Sequence, residues 1–354
     1  MGLPTHMPQL DGLRCLAVLL VIWAHAGPAW ATRFGTWGVG VYGVWLFFVL
    51  SAFLITGILL RLRESSAPLG TALRTFYARR FLRIFPAYYA VIAAARLLEF
   101  PLGPKALVAH LLYLSNTSLV AQGPAALGHF WSLAVEEQFY LVWPLLVLLA
   151  PVRWLPRIFG WAIFIALATR AGLLLSGATV REAQPHVFSN LDSLGLGALL
   201  AWHWHSAPEA TVARRRALRV ALGAGLALML VTLALTMAGR RLPVLGMIES
   251  TSAALVSVWL VDRCARGASG MMGAILTWRP VAYVGTISYC VYLVQTPIRS
   301  ILGELLHRDG LRDGSTVMFL EVAAMSIAIA TLSWQFYEGP INRWKRRFPY
   351  PEAG

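Results

Sequence analysis

Apolar blocks of near-bilayer length, separated by short arginine-rich stretches, constrain this chain more than any other feature of its sequence. The hydrocarbon core of a bilayer is about 30 Å thick, and roughly 20 apolar residues of α-helix cross it. The 354 residues are 58% hydrophobic and 13% charged, with a mean hydropathy of +0.64, whereas about a quarter of the residues in a soluble domain are charged. The sequence therefore predicts an all-α polytopic membrane protein.

Ten blocks are long and apolar enough to be predicted as transmembrane helices. They cover residues 12–31, 38–60, 84–100, 133–151, 158–176, 188–205, 217–238, 244–262, 283–304 and 316–336. A shorter apolar stretch, 106–120, is either an interfacial helix or an eleventh span. We expect a single transmembrane domain over 1–354, with a basic cytoplasmic tail at about 341–354 and no appended soluble domain.

The placement of the positive charges favours ten spans with both termini in the cytoplasm. With ten spans, 19 Arg and Lys residues fall on the side of the termini and seven on the opposite side. The side with the excess of Arg and Lys is cytoplasmic, and an eleventh span would break this agreement. The net charge of +14 thus indicates membrane orientation and argues against a nucleic-acid partner.

The first predicted span contains two ionisable residues, Arg14 and His25, eleven residues apart. Ionisable groups within a bilayer are costly and tend to mark substrate paths or proton chemistry. Eleven residues are close to three helical turns, so the two side chains lie on nearly the same face, roughly 16 Å apart along the axis. Asp11 falls close to that face. A cleaved signal peptide is disfavoured, because Asp11 precedes the apolar block and His25 interrupts it.

Other ionisable residues lie toward the predicted outer ends of their spans. They are Glu136, Glu137, Asp192, Glu249, Glu321, Arg96, Arg170 and Arg299. One interpretation is that they extend to the membrane interface, which we favour for Arg96 and Arg299. For the set as a whole, an outward-facing polar cavity is the alternative.

Four further stretches carry polar residues inside apolar sequence. The stretch WLFFVLSAFLITGILL contains Ser51, and FYARRFLRIFPAYYA places Arg79, Arg80 and Arg83 at the cytoplasmic end of the third span, with Pro86 in its first turn. HFWSLAVEEQFYLVWPLL contains Trp131, Ser132, Glu136 and Glu137, and GTISYCVYLVQTPI contains Ser288, Tyr289, Tyr292 and Gln295.

With LDGLR and the following His25, these motifs resemble the acyltransferase 3 family of membrane-bound acyltransferases, from Leu10 to about Pro340. The run LDSLGLGALLA, with Asp192, is similar to the family's seventh-span pattern. Two departures matter. The second-span motif of the family reads Ser-Gly-Phe-Leu, whereas Ala52 holds the Gly position here, so a close backbone approach is in doubt. Many members carry His at the position of Gln295, so His25 is expected to be the sole base.

The resemblance implies transfer of an acyl group, often acetyl, from cytoplasmic acyl-CoA to a hydroxyl of a saccharide or a glycosylated small molecule. Acyl-CoA would be a co-substrate, and no bound cofactor or metal is expected. Because guanidinium groups bind phosphates well, Arg14, Arg80 and Arg83 are the candidate donor-binding residues. The alternative to donor binding is that these arginines only orient the protein in the membrane by the positive-inside rule. This alternative is stronger for Arg79 than for Arg80 and Arg83.

An imidazole suits the role of general base toward the acceptor hydroxyl, so His25 is the first candidate catalytic residue. Direct transfer and an acyl-histidine intermediate both stay open. Glu136 and Glu137 either orient the imidazole or hold the acceptor, or else they are acids near a helix N-terminus with Ser132 as its N-cap.

Asp11, Ser51, Trp131, Ser132, Asp192 and Tyr289 are candidate supporting residues. Ser51 could be a nucleophile, but a helix-packing hydroxyl fits it better, and Tyr289 is also explained by packing. The expected location is the inner membrane of the cell. Two other classes stay open: a secondary transporter, for which we find no convincing inverted repeat, and a non-catalytic sensor or scaffold.

Overall fold

A computed structural model of the chain describes residues 7–28, 40–65, 67–117, 125–207, 211–240, 242–306 and 314–351. These residues form fourteen α-helices and no β-strand. The helices are α1 (Pro8–Ala26), α2 (Gly40–Glu64), α3 (Leu69–Leu97), α4 (Pro104–Leu111), α5 (Trp131–Leu149), α6 (Leu155–Leu175), α7 (Val180–Ala183), α8 (Leu191–Ser206), α9 (Val212–Met237), α10 (Pro243–Ala265), α11 (Gly270–Thr277), α12 (Arg279–Leu306), α13 (Thr316–Ser333) and α14 (Gly339–Arg343). The all-helical class is confirmed, as expected where backbone groups have no water to bind.

Eight helical segments of the described chain are long and apolar enough to cross a membrane. They coincide with eight of the ten predicted spans, which identifies a multi-pass membrane protein. The other two predicted spans, 84–100 and 188–205, fall in α3 and α8. Helix α8 has only 16 residues, and α3 has 29 residues with Arg at several positions. The count of ten and the cytoplasmic location of the termini stay predictions.

The ambiguous stretch 106–120 contains a short helix. Helix α4 has eight residues, which extend for about 12 Å and cannot cross a bilayer. Residues 118–124 lie outside the part of the chain that the structure describes.

Two helix starts differ from the prediction. Helix α3 begins at Leu69, so Pro86 lies inside it and not in its first turn. The fourth predicted span is preceded by a 3₁₀ segment, Ala125–Phe130, which runs into α5. Glu136 and Glu137 therefore lie near the middle of the combined helix. The apolar pattern missed both starts, because helical residues continue beyond the hydrophobic blocks.

Helix α2 lies at the centre of the bundle and α9 at its edge. In the most apolar stretch of α2, 78% of the residues are buried, whereas in α9 the share is 11%. Helix α2 packs against α1, α5, α8 and α10, and α1 packs against α12. The N-terminus of α9 is capped by the hydroxyl of Thr211, which accepts a hydrogen bond from the Arg214 amide at 3.2 Å.

Helix α2 packs closely against α8 at Ala52, although the sequence has a methyl group there in place of glycine. Ala52 is fully buried, and it faces Gly197 of α8. A methyl group at Gly197 would collide with the Val49 carbonyl and come within 2.9 Å of the Ala52 side chain. The close approach of α2 and α8 thus depends on Gly197, which leaves room for the methyl of Ala52.

We predict that Gly197→Ala lowers the stability of the folded protein by about 2 kcal/mol, because overfilling a packed interface costs on the order of 1–3 kcal/mol. The matched control is Gly223→Ala on α9, where an added methyl meets nothing within 4 Å. The measurement is the temperature at which the detergent-solubilised protein loses its monodisperse elution peak. Equal midpoints for the two variants would show that the α2–α8 contact is not tight.

Candidate functional site

One cavity of about 240 Å³ lies among α1, α2, α3, α5 and α12. Eight of the candidate donor-binding, catalytic and supporting residues line it: Arg14, Ser51, Arg80, Arg83, Ser132, Glu136, Glu137 and Tyr289. Apolar side chains, including Val44, Phe47 and Phe48, form other parts of its wall. Residues that are far apart in the sequence therefore meet around one cavity with both charged and apolar surface.

Three arginines give the cavity its positive charge. Arg14 forms an ion pair with Asp11 one helical turn before it. The Arg83 guanidinium donates to the Thr286 carbonyl at 2.7 Å. The Arg80 guanidinium lies 4.6 Å from the centre of the Tyr140 ring, in the range of a cation–π contact. Helix geometry places Arg80 and Arg83 on the same side of α3, because residues three apart are surface neighbours.

The carboxylates lie in the same cavity as the arginines. Ser51 donates its hydroxyl hydrogen to the carboxyl group of Glu136 at 2.7 Å. Ser132 is not the N-cap of α5: the cap position is Phe130, and the Ser132 hydroxyl lies 2.6 Å from that of Tyr292. The capping interpretation is wrong because the preceding 3₁₀ segment already continues the helix.

His25 lies outside the set of residues that line the cavity. Its Nδ1 is 2.9 Å from the Val21 carbonyl oxygen. A carbonyl only accepts hydrogen bonds, so Nδ1 carries the proton and Nε2 has a free lone pair. The side chain is exposed and can be reached by a substrate. This arrangement leaves the imidazole able to accept a proton, which a general base must do.

A second histidine, His129, lies beside His25. The centres of the two rings are 6.2 Å apart, and the His129 side chain is only 5% exposed. The sequence analysis missed this residue and expected a single base. The signal was available, since His129 directly precedes the Phe-Trp-Ser motif, but only the fold shows that this motif meets α1.

Besides His25 and Asp11, two further candidate residues do not line the cavity. Asp192 is fully buried and pairs with Arg170 at 2.7 Å, and it also accepts from the Thr251 hydroxyl at 2.8 Å. Trp131 packs edge-on against Phe48, with ring centres 6.3 Å apart. Asp192 is thus part of a buried ion pair between α6, α8 and α10, and Trp131 supports a residue of the cavity wall.

The basic tail packs against α3 through Arg79. Its guanidinium donates to the Lys345 and Phe348 carbonyls at 3.1 and 2.9 Å and lies 4.3 Å from the centre of the Tyr350 ring. Arg79 therefore fastens the tail, whereas Arg80 and Arg83 face the cavity. In the described part of the chain, no cluster of three His, Cys, Asp or Glu side chains could hold a metal ion.

Comparisons with known proteins agree on one family. A family profile described as an acyltransferase domain matches residues 7–338. The peptidoglycan O-acetyltransferase OatA of Listeria monocytogenes is 30% identical over 362 residues, covering 96% of this chain and 56% of the relative. YrhL of Bacillus subtilis is 29% identical, and the match covers 95% of this chain and 55% of the relative. The O-acetyltransferase OatA of Staphylococcus aureus is 30% identical, and the match covers 57% of this chain and 35% of the relative.

The chain therefore spans about half the length of the first two of these relatives. No solved structure matches the chain significantly. These findings give the transporter alternative no support.

We predict that Asp192→Ala lowers the free energy of unfolding by about 3 kcal/mol, because removing one partner leaves the other charge buried and unpaired. The control is Glu304→Ala, which removes an exposed carboxylate. The measurement is the loss of monodisperse protein on heating in detergent. If both variants melt at the same temperature as the unmodified protein, the ion pair is not a structural element.

Proposed function

The chain belongs to the acyltransferase 3 family, and from that premise we propose that it is a membrane O-acyltransferase. It moves an acyl group, acetyl or another short acyl, from cytoplasmic acyl-CoA to a hydroxyl of a saccharide or glycosylated acceptor. Its proposed location is the inner membrane of the cell, with both termini in the cytoplasm. One observation carries the proposal: Arg14, Arg80 and Arg83 meet two carboxylates in a single cavity with apolar walls.

The cavity has the chemical character that an acyl-CoA donor requires. The nucleotide end of CoA carries several phosphate charges, which guanidinium groups bind by charge-assisted hydrogen bonds. The pantetheine arm and a short acyl chain are less polar and suit a wall that includes Val44, Phe47 and Phe48. Arg14 lies near the start of α1, and His25 near its end. We therefore propose that the phosphates bind at the Arg14 end and that the thioester extends toward His25.

His25 is the proposed general base. Its Nε2 takes the proton of the acceptor hydroxyl while the oxygen forms a bond to the thioester carbon. The carbon–sulfur bond then breaks, and the thiol leaves with a proton. The free lone pair that results from the Nδ1 contact with the Val21 carbonyl supports this role. Direct transfer needs no covalent enzyme intermediate, and it is the mechanism that we propose.

Glu136 and Glu137 are proposed to balance the arginine charges and to orient the bound donor. Glu136 is fixed by the Ser51 hydroxyl, and both acids line the cavity with Arg80. Without them, three guanidinium groups would repel one another in a medium of low dielectric constant. Ser132 and Tyr289 complete the polar wall.

The proposed acceptor is a saccharide of the cell envelope. The relative from Listeria monocytogenes is named a peptidoglycan O-acetyltransferase, and this supports an acetyl group and a glycan hydroxyl. Because this chain matches only about half of that relative, the acceptor of the present chain is inferred by similarity alone.

We predict that His25→Gln lowers the rate of acyl transfer by at least about 100-fold, because a general base contributes on the order of 10²–10⁴ to the rate. Donor binding should be unchanged. The assay measures transfer from radiolabelled acetyl-CoA to isolated peptidoglycan fragments in membranes that contain the variant.

The control for this variant is His186→Gln, at an exposed histidine in the segment between α7 and α8. Transfer at the unmodified rate by His25→Gln would refute the proposed base. Saturable uptake of a solute without consumption of acetyl-CoA would refute the acyltransferase itself and favour a transporter.

We also predict that Arg80→Gln raises the KM for acetyl-CoA about tenfold with little change in kcat, because a hydrogen bond to a charged group is worth roughly 1.5–3 kcal/mol. The matched control is Arg346→Gln, at an exposed arginine of the tail. If both variants raise the KM equally, the effect is a general surface potential, and Arg80 does not contact the donor.

A further inference from the structure

We propose that the basic tail contributes Lys345 to the donor site, where its ammonium group binds a phosphate of acyl-CoA together with Arg80 and Arg83. This inference rests on the proposed function and adds a residue to the same site. The sequence predicts the tail only as a basic cytoplasmic segment. On this inference, residues 344–350 are also part of the surface that binds the nucleotide.

The cavity is too small to enclose a whole acyl-CoA molecule. Pockets for drug-sized ligands occupy roughly 300–1,000 Å³, and acyl-CoA, which joins a nucleotide to a long pantetheine arm, is larger than most such ligands. The cavity has a volume of about 240 Å³. A donor whose arm enters the cavity beside Arg80 and Arg83 therefore places its nucleotide against residues outside the cavity wall.

The tail is fastened to α3 at the residue next to Arg80. The Arg79 guanidinium donates to the Lys345 carbonyl at 3.1 Å and to the Phe348 carbonyl at 2.9 Å. It also lies 4.3 Å from the centre of the Tyr350 ring. These contacts hold the backbone of Lys345 against α3, so the fold determines the place of this lysine.

Lys345 differs from its neighbours in the tail in the direction of its side chain. Lys345 is partly buried, whereas Trp344 and Arg346 on either side of it are exposed. Of the charges that act on the Lys345 ammonium group, those of Arg83 and Arg80 are the strongest. The side chain therefore faces the arginines that line the cavity, while the adjacent residues face away from them.

Arg80 and Lys345 have hydrogen-bond donors available for a ligand. Neither side chain donates a hydrogen bond to another residue in the described part of the chain, and neither forms an ion pair there. Their nitrogen atoms are also absent from the set of enclosed nitrogens without a partner, which means that they can be reached. Because charge-assisted hydrogen bonds to phosphate are strong, this arrangement suits an anionic ligand.

The nearby acid does not neutralise this cluster. Glu338 acts on Lys345 more weakly than the arginines do, and it forms no ion pair with any cation that the structure describes. Its carboxylate is buried and accepts the Ser333 hydroxyl at 2.9 Å. Positive charge is therefore in excess around Lys345, and a bound anion would reduce the repulsion between the like charges.

A phosphate of the donor fits this cluster better than a lipid headgroup does. Arg80 and Arg83 line the cavity, so an anion bound between them and Lys345 lies at the edge of the space for the pantetheine arm. Guanidinium groups bind phosphate through two parallel hydrogen bonds, and an ammonium group adds a point charge. A lipid headgroup would instead meet the exposed residues of the tail, such as Arg346.

The test measures transfer from radiolabelled acetyl-CoA in purified full-length protein. We expect Lys345→Gln to raise the KM for acetyl-CoA about tenfold, because it removes one hydrogen bond to a charged group, and to leave kcat within about twofold. Lys345→Arg, which keeps the charge, should bring the KM back to within about threefold of the unmodified value. A lower kcat with an unchanged KM would indicate a structural role and overturn the inference.

A competitor without phosphates separates phosphate binding from a general change in the site. S-acetylpantetheine has the arm and the thioester of acetyl-CoA but no phosphate group. The concentration of it that halves transfer, with acetyl-CoA held at the KM of each form, should be the same for Lys345→Gln and the unmodified protein. If this concentration rises as much as the KM for acetyl-CoA, Lys345 does not recognise the phosphates.

The matched control is Arg346→Gln, which removes one positive charge from the adjacent exposed position. Its KM for acetyl-CoA should stay within about twofold, because a charge in water is screened. Equal rises in Arg346→Gln and Lys345→Gln would assign the effect to the surface potential and contradict the inference. The effect of Lys345→Gln should persist in nanodiscs of neutral phosphatidylcholine. An effect that requires anionic phosphatidylglycerol would show that Lys345 binds a lipid headgroup instead.

Titration of CoA into the purified protein distinguishes failure of this inference from failure of the proposed function. We expect the Kd for CoA to rise about tenfold in Lys345→Gln. An unmodified protein that neither binds CoA nor transfers acetyl groups would refute the proposed function. Equal Kd values in the two forms would refute the role of Lys345 alone. If Lys345→Gln does not fold, Lys345→Met keeps the apolar stem, and the same rise is expected.

Arg79→Gln tests whether the fastened tail places Lys345. We expect this variant to raise the Kd for CoA, because it removes the contacts to the Lys345 and Phe348 carbonyls. In the double variant Arg79→Gln/Lys345→Gln, the Kd should be no more than about twofold above that of Arg79→Gln, since residues that act as a unit are not additive. A Kd that reflects the product of the two single effects would show that Lys345 does not depend on the tail contacts, against the inference.

Discussion

An ionised side chain inside an apolar helical bundle is unfavourable unless an opposite charge or a hydrogen bond compensates it, and the arrangement of this protein follows from that constraint. Arg170 meets Asp192 at 2.7 Å, the Tyr42 hydroxyl donates to Glu249 at 2.7 Å, and Ser51 donates to Glu136. Helices that share such pairs cannot shift along one another without breaking them. The polar contacts therefore fix which helices are neighbours, and close contacts such as that at Gly197 fix how near they lie.

The same constraint separates two polar clusters with different consequences. Around Arg170, the guanidinium bonds Asp192, Ser250 and Thr251, which compensates the buried charge by direct contacts. Around Arg80, the positive charges face an open volume of about 240 Å³ together with acids. The first cluster closes on itself and stabilises the fold. The second has space for a charged molecule, and this is why the proposed function rests on it.

The first helix joins two environments. Arg14 lines the cavity and is held by Asp11, whereas His25 lies near the other end of α1, exposed and next to His129. A donor molecule bound at Arg14 and an acceptor at His25 would approach the bundle at different levels of the same helix. On the proposed function, the donor and the acceptor would therefore bind at different places along α1.

The sequence by itself determined the helical membrane class, the position of most spans and the group of motif residues that meet in the cavity. Hydrophobic length and charge placement are local properties, and they survive folding because the bilayer imposes the same length on every crossing helix. The start of α5, the pairing of Asp192 with Arg170 and the approach of His129 to His25 were decided only by the tertiary structure. The two contacts join residues that are 22 or more positions apart in the sequence. Their distances depend on how the helices pack side by side, and the spacing of apolar residues along one helix does not predict this.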